Sequence, residues 1–240
     1  MKLSIIIPVY NEEQTTKELL GRVIKVRLPK LIKKEIIIID DGSTDSSSSE
    51  IRSATSADEI RNLKIFSHAK NLGKGAAIQT GLSYATGDLI IIQDADLEYD
   101  PNDYTRLLEP ILNKRAKIVY GSRLITYPLR FWGSNKTVLP MNLIANKILV
   151  FLTNLLYGSN LTDMETCYKL FPKDILKRID IKSRGFDFEP EITAKILKNG
   201  LNIYEVPITT IPRTYKEGKK ITWKDGFIAI WTLFKYRVVN

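Results

Sequence analysis

Ile90-Ile91-Ile92-Gln93-Asp94-Ala95-Asp96-Leu97-Glu98 reads as a buried strand that ends abruptly in carboxylates. Residues two apart in a strand point the same way, so Asp94 and Asp96 face one point at its carboxyl end. Open α/β sheets bind ligands at that edge. Two or three convergent carboxylates suit a hard divalent cation that also holds diphosphate oxygens. Taken alone, the triplet is equally well a polar turn after a buried strand.

Two further runs have the same form. Glu35–Ile39 ends in Asp40-Asp41-Gly42-Ser43-Thr44-Asp45, and Leu3–Ile7 ends in Pro8-Val9-Tyr10-Asn11-Glu12. All three are short, β-branched and bounded by turn or acidic residues, the pattern of parallel strands buried on both faces. Helix-like segments follow them over 12–27, 45–61 and 101–115. Leu63–Phe66 reads as another strand, leading through Asn71-Leu72-Gly73-Lys74-Gly75 into a helix that runs to about residue 85. The alternation predicts a doubly wound α/β sheet.

A chain of 240 residues forms one domain with a full core. Its 36 Lys and Arg against 27 Asp and Glu leave a formal charge of +9, which suits an anionic partner: nucleic acid, phospholipid or a phosphorylated substrate. The basic residues are dense in 25–34, 169–184 and 213–224, and no basic ribbon studded with aromatics is present, so nucleic acid is not the expected partner. Cys167 is the single cysteine. It excludes an intramolecular disulfide and fits a reducing compartment. His68 is the single histidine, so a zinc site is not expected. The chain opens directly into a strand, so no signal peptide is expected.

No segment reaches the roughly 18 uninterrupted apolar residues of a spanning helix. Residues 138–157 are interrupted by Pro140, Asn142, Asn146, Lys147 and Asn154. They read as amphipathic helix, with Leu149, Leu152 and Leu156 turned to the core. Phe227–Phe234, followed by Lys235-Tyr236-Arg237, reads either as a helix lying on a membrane surface or as one packed on the body of the protein.

The motifs Pro8–Glu12, Asp40–Asp45, Asn71–Gly75 and Asp94-Ala95-Asp96 come in the order seen in family 2 glycosyltransferases of the GT-A, or nucleotide-diphospho-sugar transferase, fold. The resemblance continues through Gly121-Ser122-Arg123, Thr162–Lys169, Gly185–Glu191 and Pro212–Lys220. These look like the branch that glycosylates polyprenyl phosphates, which includes the dolichyl-phosphate mannose synthases. It implies an α/β GT-A domain over 1–215 with a mostly parallel central sheet and flanking helices. Later strands are expected from 117–122, 166–171 and 203–210. Residues 216–240 form a basic loop and amphipathic helix of the same domain.

The resemblance also implies a chemistry. The donor is a nucleotide sugar, GDP-mannose or UDP-glucose. The acceptor is a polyprenyl phosphate, and attack is a direct, inverting displacement. Pro8, Tyr10 and Glu12 line the base and ribose pocket, with Asp41 accepting from base or ribose and Ala95 against the donor. Asp94 and Asp96 hold Mg²⁺ or Mn²⁺, and Glu98 either joins them or is a solvated loop acid. Arg213, then Arg123, grip phosphate; a planar guanidinium does so bidentately. Lys219 and Lys220 either assist or form a solvated basic loop. Lys74 is either a donor contact or a surface lysine. Asp163 is a base or positioner, or else a helix cap.

The enzyme is then peripheral on the cytoplasmic face of a membrane, held by its own surface or by a separate anchor protein. Two other readings stay open: a transferase of this fold acting on a sugar hydroxyl, and a non-catalytic nucleotide-binding module.

Overall fold

The computed structural model describes residues 1–55, 62–125, 140–214 and 218–239. The end of the helix expected over 45–61, the start of the 138–157 segment and Tyr215, Lys216 and Glu217 lie outside them. In chain order the elements are β1 (Lys2–Val9), α1 (Thr16–Lys25), β2 (Lys33–Asp40), α2 (Ser47–Thr55), β3 (Leu63–Ser67), α3 (Lys74–Tyr84) and β4 (Leu89–Ile92). They continue as α4 (Tyr104–Leu112), β5 (Ile118–Ser122), α5 (Pro140–Tyr157), β6 (Lys169–Pro172), α6 (Phe188–Lys198), β7 (Ile203–Pro207) and α7 (Trp223–Val238).

Among the described residues the strands form one sheet in the order β3-β2-β1-β4-β6-β5-β7. Every pairing is parallel except the two made by β6. The isoleucine runs explain the middle of it: Ile5, Ile6, Ile7, Ile37, Ile38, Ile39, Ile90 and Ile91 are all fully buried, because helices cover both faces. This is the GT-A form of α/β fold.

The topology decides where a ligand goes. The chain winds from β1 outward to β3, then crosses back to place β4 on the other side of β1. Such a reversal opens a crevice beyond the strand ends. Register aligns those ends, with Ile6 opposite both Ile37 and Ile92, and Val9 opposite Asp40. Tyr10, Asp41 and Asp94 therefore leave the sheet side by side.

Beyond β7 the chain doubles back along the loop after β4. Tyr99 and Thr210 form an antiparallel bridge, and the Ile211 amide donates to the Glu98 carbonyl at 3.0 Å. This brings Arg213, over a hundred residues away in sequence, to the Asp96 loop. α7 then packs against α5 and α6 around Leu149, Met164, Ala194, Ala229, Leu233 and Tyr236. Leu152 and Leu156 pack partly buried against that cluster, as the amphipathic pattern predicts.

Candidate active site

Asp41 organises the first wall. One carboxylate oxygen accepts from the Leu72 amide at 3.0 Å and lies 2.6 Å from His68 Nδ1. The other accepts from the Gly73 amide at 2.8 Å. Asp41 borders the site but is already engaged in clamping the 70–73 loop. Gly73 has φ +99°, and a Cβ there would come within 2.3 Å of the Arg184 carbonyl oxygen.

The stretch that looks like a phosphate loop is spent elsewhere. The Gly75 amide donates to the Gly185 carbonyl at 3.2 Å and the Ala76 amide to Arg184 at 3.1 Å. The glycines thus permit close approach, but to the chain's own backbone. Lys74, opening α3, is not a surface lysine. Its Nζ lies 2.9 Å from Asp94 and 2.7 Å from Glu189. Burial works against the Lys74 ammonium, but Asp94 and Glu189 outweigh it and hold its pKa well above the usual lysine value.

Gln93 anchors the exit of β4. It is fully buried, and its side-chain oxygen accepts from the hydroxyls of Tyr104 and Tyr168, each at 2.6 Å. The next residues are thereby aimed into the crevice. Asp96 meets Arg213 at 2.9 Å and accepts the Glu98 amide at 3.0 Å. Arg213 also donates to both oxygens of Glu12, at 2.9 and 3.2 Å. Its own amide donates to Glu98 at 3.2 Å. Lys219 lies 3.5 Å from Glu98, and the exposed Lys220 2.8 Å from Glu12. Burial, then the neighbouring carboxylates Asp94 and Glu98, push the Asp96 carboxyl up to about 7 against the pull of Arg213.

Among the described residues no three His, Cys, Asp or Glu side chains are arranged as a metal centre. Asp94, Asp96 and Glu98 are met by Lys74, Arg213 and Lys219 instead. The donor set itself fits Mg²⁺ or Mn²⁺. It is anionic and all-oxygen, and cationic side chains already stand against it.

The far wall is built on Arg123 and Asp163, paired through two bonds of 2.7 Å. Asp163 also accepts the Arg123 amide and is fully buried. It does not border the cavity, whereas Arg123 does. Below this pair Lys169 donates to the carbonyls of Met164 and Thr166, holding the loop that carries Glu165. Burial, then Glu189, pushes the Glu165 carboxyl up to about 7.

These walls enclose one cavity of about 800 Å³. Pro8, Tyr10, Asp41, Lys74, Asp94, Ala95, Asp96, Glu98, Arg123 and Arg213 border it. It continues between α5 and α7, where Met141, Ile148, Trp223, Phe227 and Ile230 line it. Away from the cavity on the same helices, Phe151, Leu155 and Trp231 are largely exposed. Sequence reasoning placed no role on Glu165 or Glu189. Both stand in quoted motifs, but Glu189 pairs with Lys74, far away in the chain, and nothing local marks Glu165.

Residues 4–180 match the family described as glycosyl transferase family 2. The chain is 31% identical, over 98% of its length and 95% of the relative's, to UDP-N-acetylglucosamine--dolichyl-phosphate N-acetylglucosaminyltransferase of Methanococcus voltae. It is 26% identical to the dodecaprenyl-phosphate galacturonate synthase of Rhizobium johnstonii, over 91% of this chain and 62% of that protein. Among solved structures it resembles glucosyl-3-phosphoglycerate synthase from Mycobacterium tuberculosis in complex with Mn²⁺, uridine diphosphate and glucosyl-3-phosphoglycerate. The TM-score is 0.73 at 18% identity, covering 100% of this chain and 81% of that one. At that identity the likeness is one of fold.

Proposed function

This chain belongs to glycosyl transferase family 2, and we propose that this glycosyltransferase moves a sugar from a nucleotide-sugar donor to the phosphate of a polyprenyl phosphate at a membrane surface. One observation carries the proposal: the cavity that holds the carboxylates and Arg213 runs on into an apolar groove between α5 and α7. A soluble acceptor needs no such groove; an isoprenoid tail does. The polyprenyl-phosphate relatives from Methanococcus and Rhizobium support it.

The chemistry follows from the residues. Pro8, Tyr10 and Asp41 border the nucleoside end. Asp94 and Asp96, with Glu98 beside them, would hold Mg²⁺ or Mn²⁺, which when bound stabilises the departing diphosphate. A phosphate monoester is already anionic near neutral pH and needs orienting more than deprotonating. Arg213, with Lys219 and Lys220 on the same segment, supplies the cationic grip. Arg123, held by Asp163, presents a second guanidinium. Asp163 thus acts as a positioning residue, and displacement inverts the anomeric carbon. The donor is a hexose derivative. GDP-mannose and UDP-glucose head the panel to be tried, with N-acetylglucosamine and galacturonate donors added from the relatives.

The deciding assay offers those donors with a short polyprenyl phosphate, the matching polyprenol, and a soluble sugar. Transfer should require the lipid phosphate. Equal transfer to the polyprenol or to the sugar would overturn the acceptor assignment and favour a sugar-hydroxyl transferase.

Membrane contact is the second expectation. No helix among the described residues is long and apolar enough to cross a membrane. The exposed Trp223, Phe227, Trp231 and Phe234 of α7 are flanked by Lys224, Lys235 and Arg237, which suits a helix lying at the lipid interface. The reduced Cys167 thiol suits the cytoplasmic face, with or without a separate anchor protein. The protein should sediment with anionic vesicles more than with neutral ones, and less so at high salt. Equal recovery in the supernatant with either lipid would remove the membrane role.

A further inference from the structure

Glu165 Oε1 is sealed from solvent and finds no hydrogen-bond partner among the described residues, yet the side chain borders the cavity. A buried polar atom without a partner is rare in a folded protein and asks for an explanation. The loop cannot easily swing to supply one. Lys169 grips the carbonyls on both sides of Glu165, and Glu205 accepts the Asp163 amide at 2.9 Å. Glu165 is therefore held in place at the cavity wall.

Its surroundings narrow the ligand. Glu189 is near enough to Glu165 to raise its pKa, and Lys74 links Glu189 to Asp94. Of the cations bordering the cavity, Arg213, Lys219 and Lys220 stand against Glu12, Asp96 and Glu98, while Lys74 and Arg123 are already paired with other carboxylates. Lys74 lies between Asp94 and Glu189, and Arg123 is bonded twice to Asp163. The wall beyond the diphosphate carboxylates thus offers hydrogen-bond acceptors and bound cations. A hydroxyl or amide N–H satisfies such a wall. A carboxylate does not, because like charges brought together here without a counterion repel strongly.

Resting on the reading that the cavity takes a nucleotide sugar, we infer that Glu165 contacts the transferred sugar and selects neutral sugars over uronic acids. The chain then parts from its galacturonate-transferring relative in donor class and stays with neutral hexoses and N-acetylhexosamines.

The test pairs two donors that share a nucleotide, one a neutral sugar and one the corresponding uronate. Transfer and acceptor-free donor hydrolysis are both measured as kcat/KM, for wild type and for Glu165→Gln. Wild type should favour the neutral donor by at least about 10²-fold. Glu165→Gln should lose about tenfold or more on the neutral donor and little on the uronate, so the ratio collapses. Binding of the nucleoside diphosphate alone, followed by calorimetry, should stay within about twofold. A wild-type preference for the uronate overturns the inference without any variant. So does an unchanged ratio in Glu165→Gln that still binds nucleoside diphosphate. Discrimination seen in hydrolysis, with no transfer to lipid phosphate, would fail the acceptor proposal and still support this one.

Discussion

Asp96→Asn should fold as wild type does and transfer sugar at least about 10²-fold more slowly, the scale of losing one preorganised electrostatic element. The amide is isosteric. Its oxygen can still accept the Glu98 amide that shapes the loop, and the β4 anchor through Gln93 is untouched. What is lost is a negative charge in a place where burial and two neighbouring carboxylates already strain to keep one. A site with no use for that charge would be relieved by its removal. If the charge serves to hold Mg²⁺ or Mn²⁺ against the diphosphate, turnover collapses and excess metal restores only part of it. Turnover across a metal titration, with a thermal melt as the control on folding, reads the difference. Full activity of the variant, or of wild type in excess EDTA, would end the metal assignment.

The strands and their carboxyl ends were legible in the sequence for a simple reason. A parallel strand covered on both faces must be apolar throughout, so Ile36–Ile39 and Ile90–Ile92 announce themselves, and the acids that follow must sit at the ligand-binding edge. Roles that depend on distant partners were not legible. Lys74 reads as surface or site with equal ease until Asp94 and Glu189 are seen to flank it. Asn71–Gly75 looks free to cradle a phosphate until the 184–185 backbone is found on its amides. Asp163 stands in an acidic motif that suits a base, but both its oxygens are engaged by Arg123 beneath the cavity floor. Glu165 gave no local signal at all. What singles it out is an oxygen without a partner, and that exists only once the chain is folded.

Arg213→Ala should lose roughly 2–5 kcal/mol of transition-state stabilisation with a lipid phosphate acceptor, the range for truncating one member of a buried charged pair. The geometry makes the loss specific. Arg213 touches Glu12 and Asp96 and reaches toward Glu98, so it stands at the boundary between the diphosphate carboxylates and the groove. Its Nε is buried without a hydrogen-bond partner among the described residues. A phosphate arriving along the groove would meet the guanidinium where Arg213 borders the cavity. Acceptor-free hydrolysis needs no such grip and should fall much less. Removing a cation that competes for Asp96 should also leave metal affinity equal or tighter, which a general loss of structure would not do. Asp163→Asn makes the contrast. It loosens the Arg123 clamp, so the rate should fall without the steep pH dependence that follows loss of a general base. Lipid-phosphate transfer at the wild-type rate in Arg213→Ala would remove the phosphate acceptor from the mechanism. A new steep pH dependence in Asp163→Asn would instead make Asp163 the base of a sugar-hydroxyl transferase.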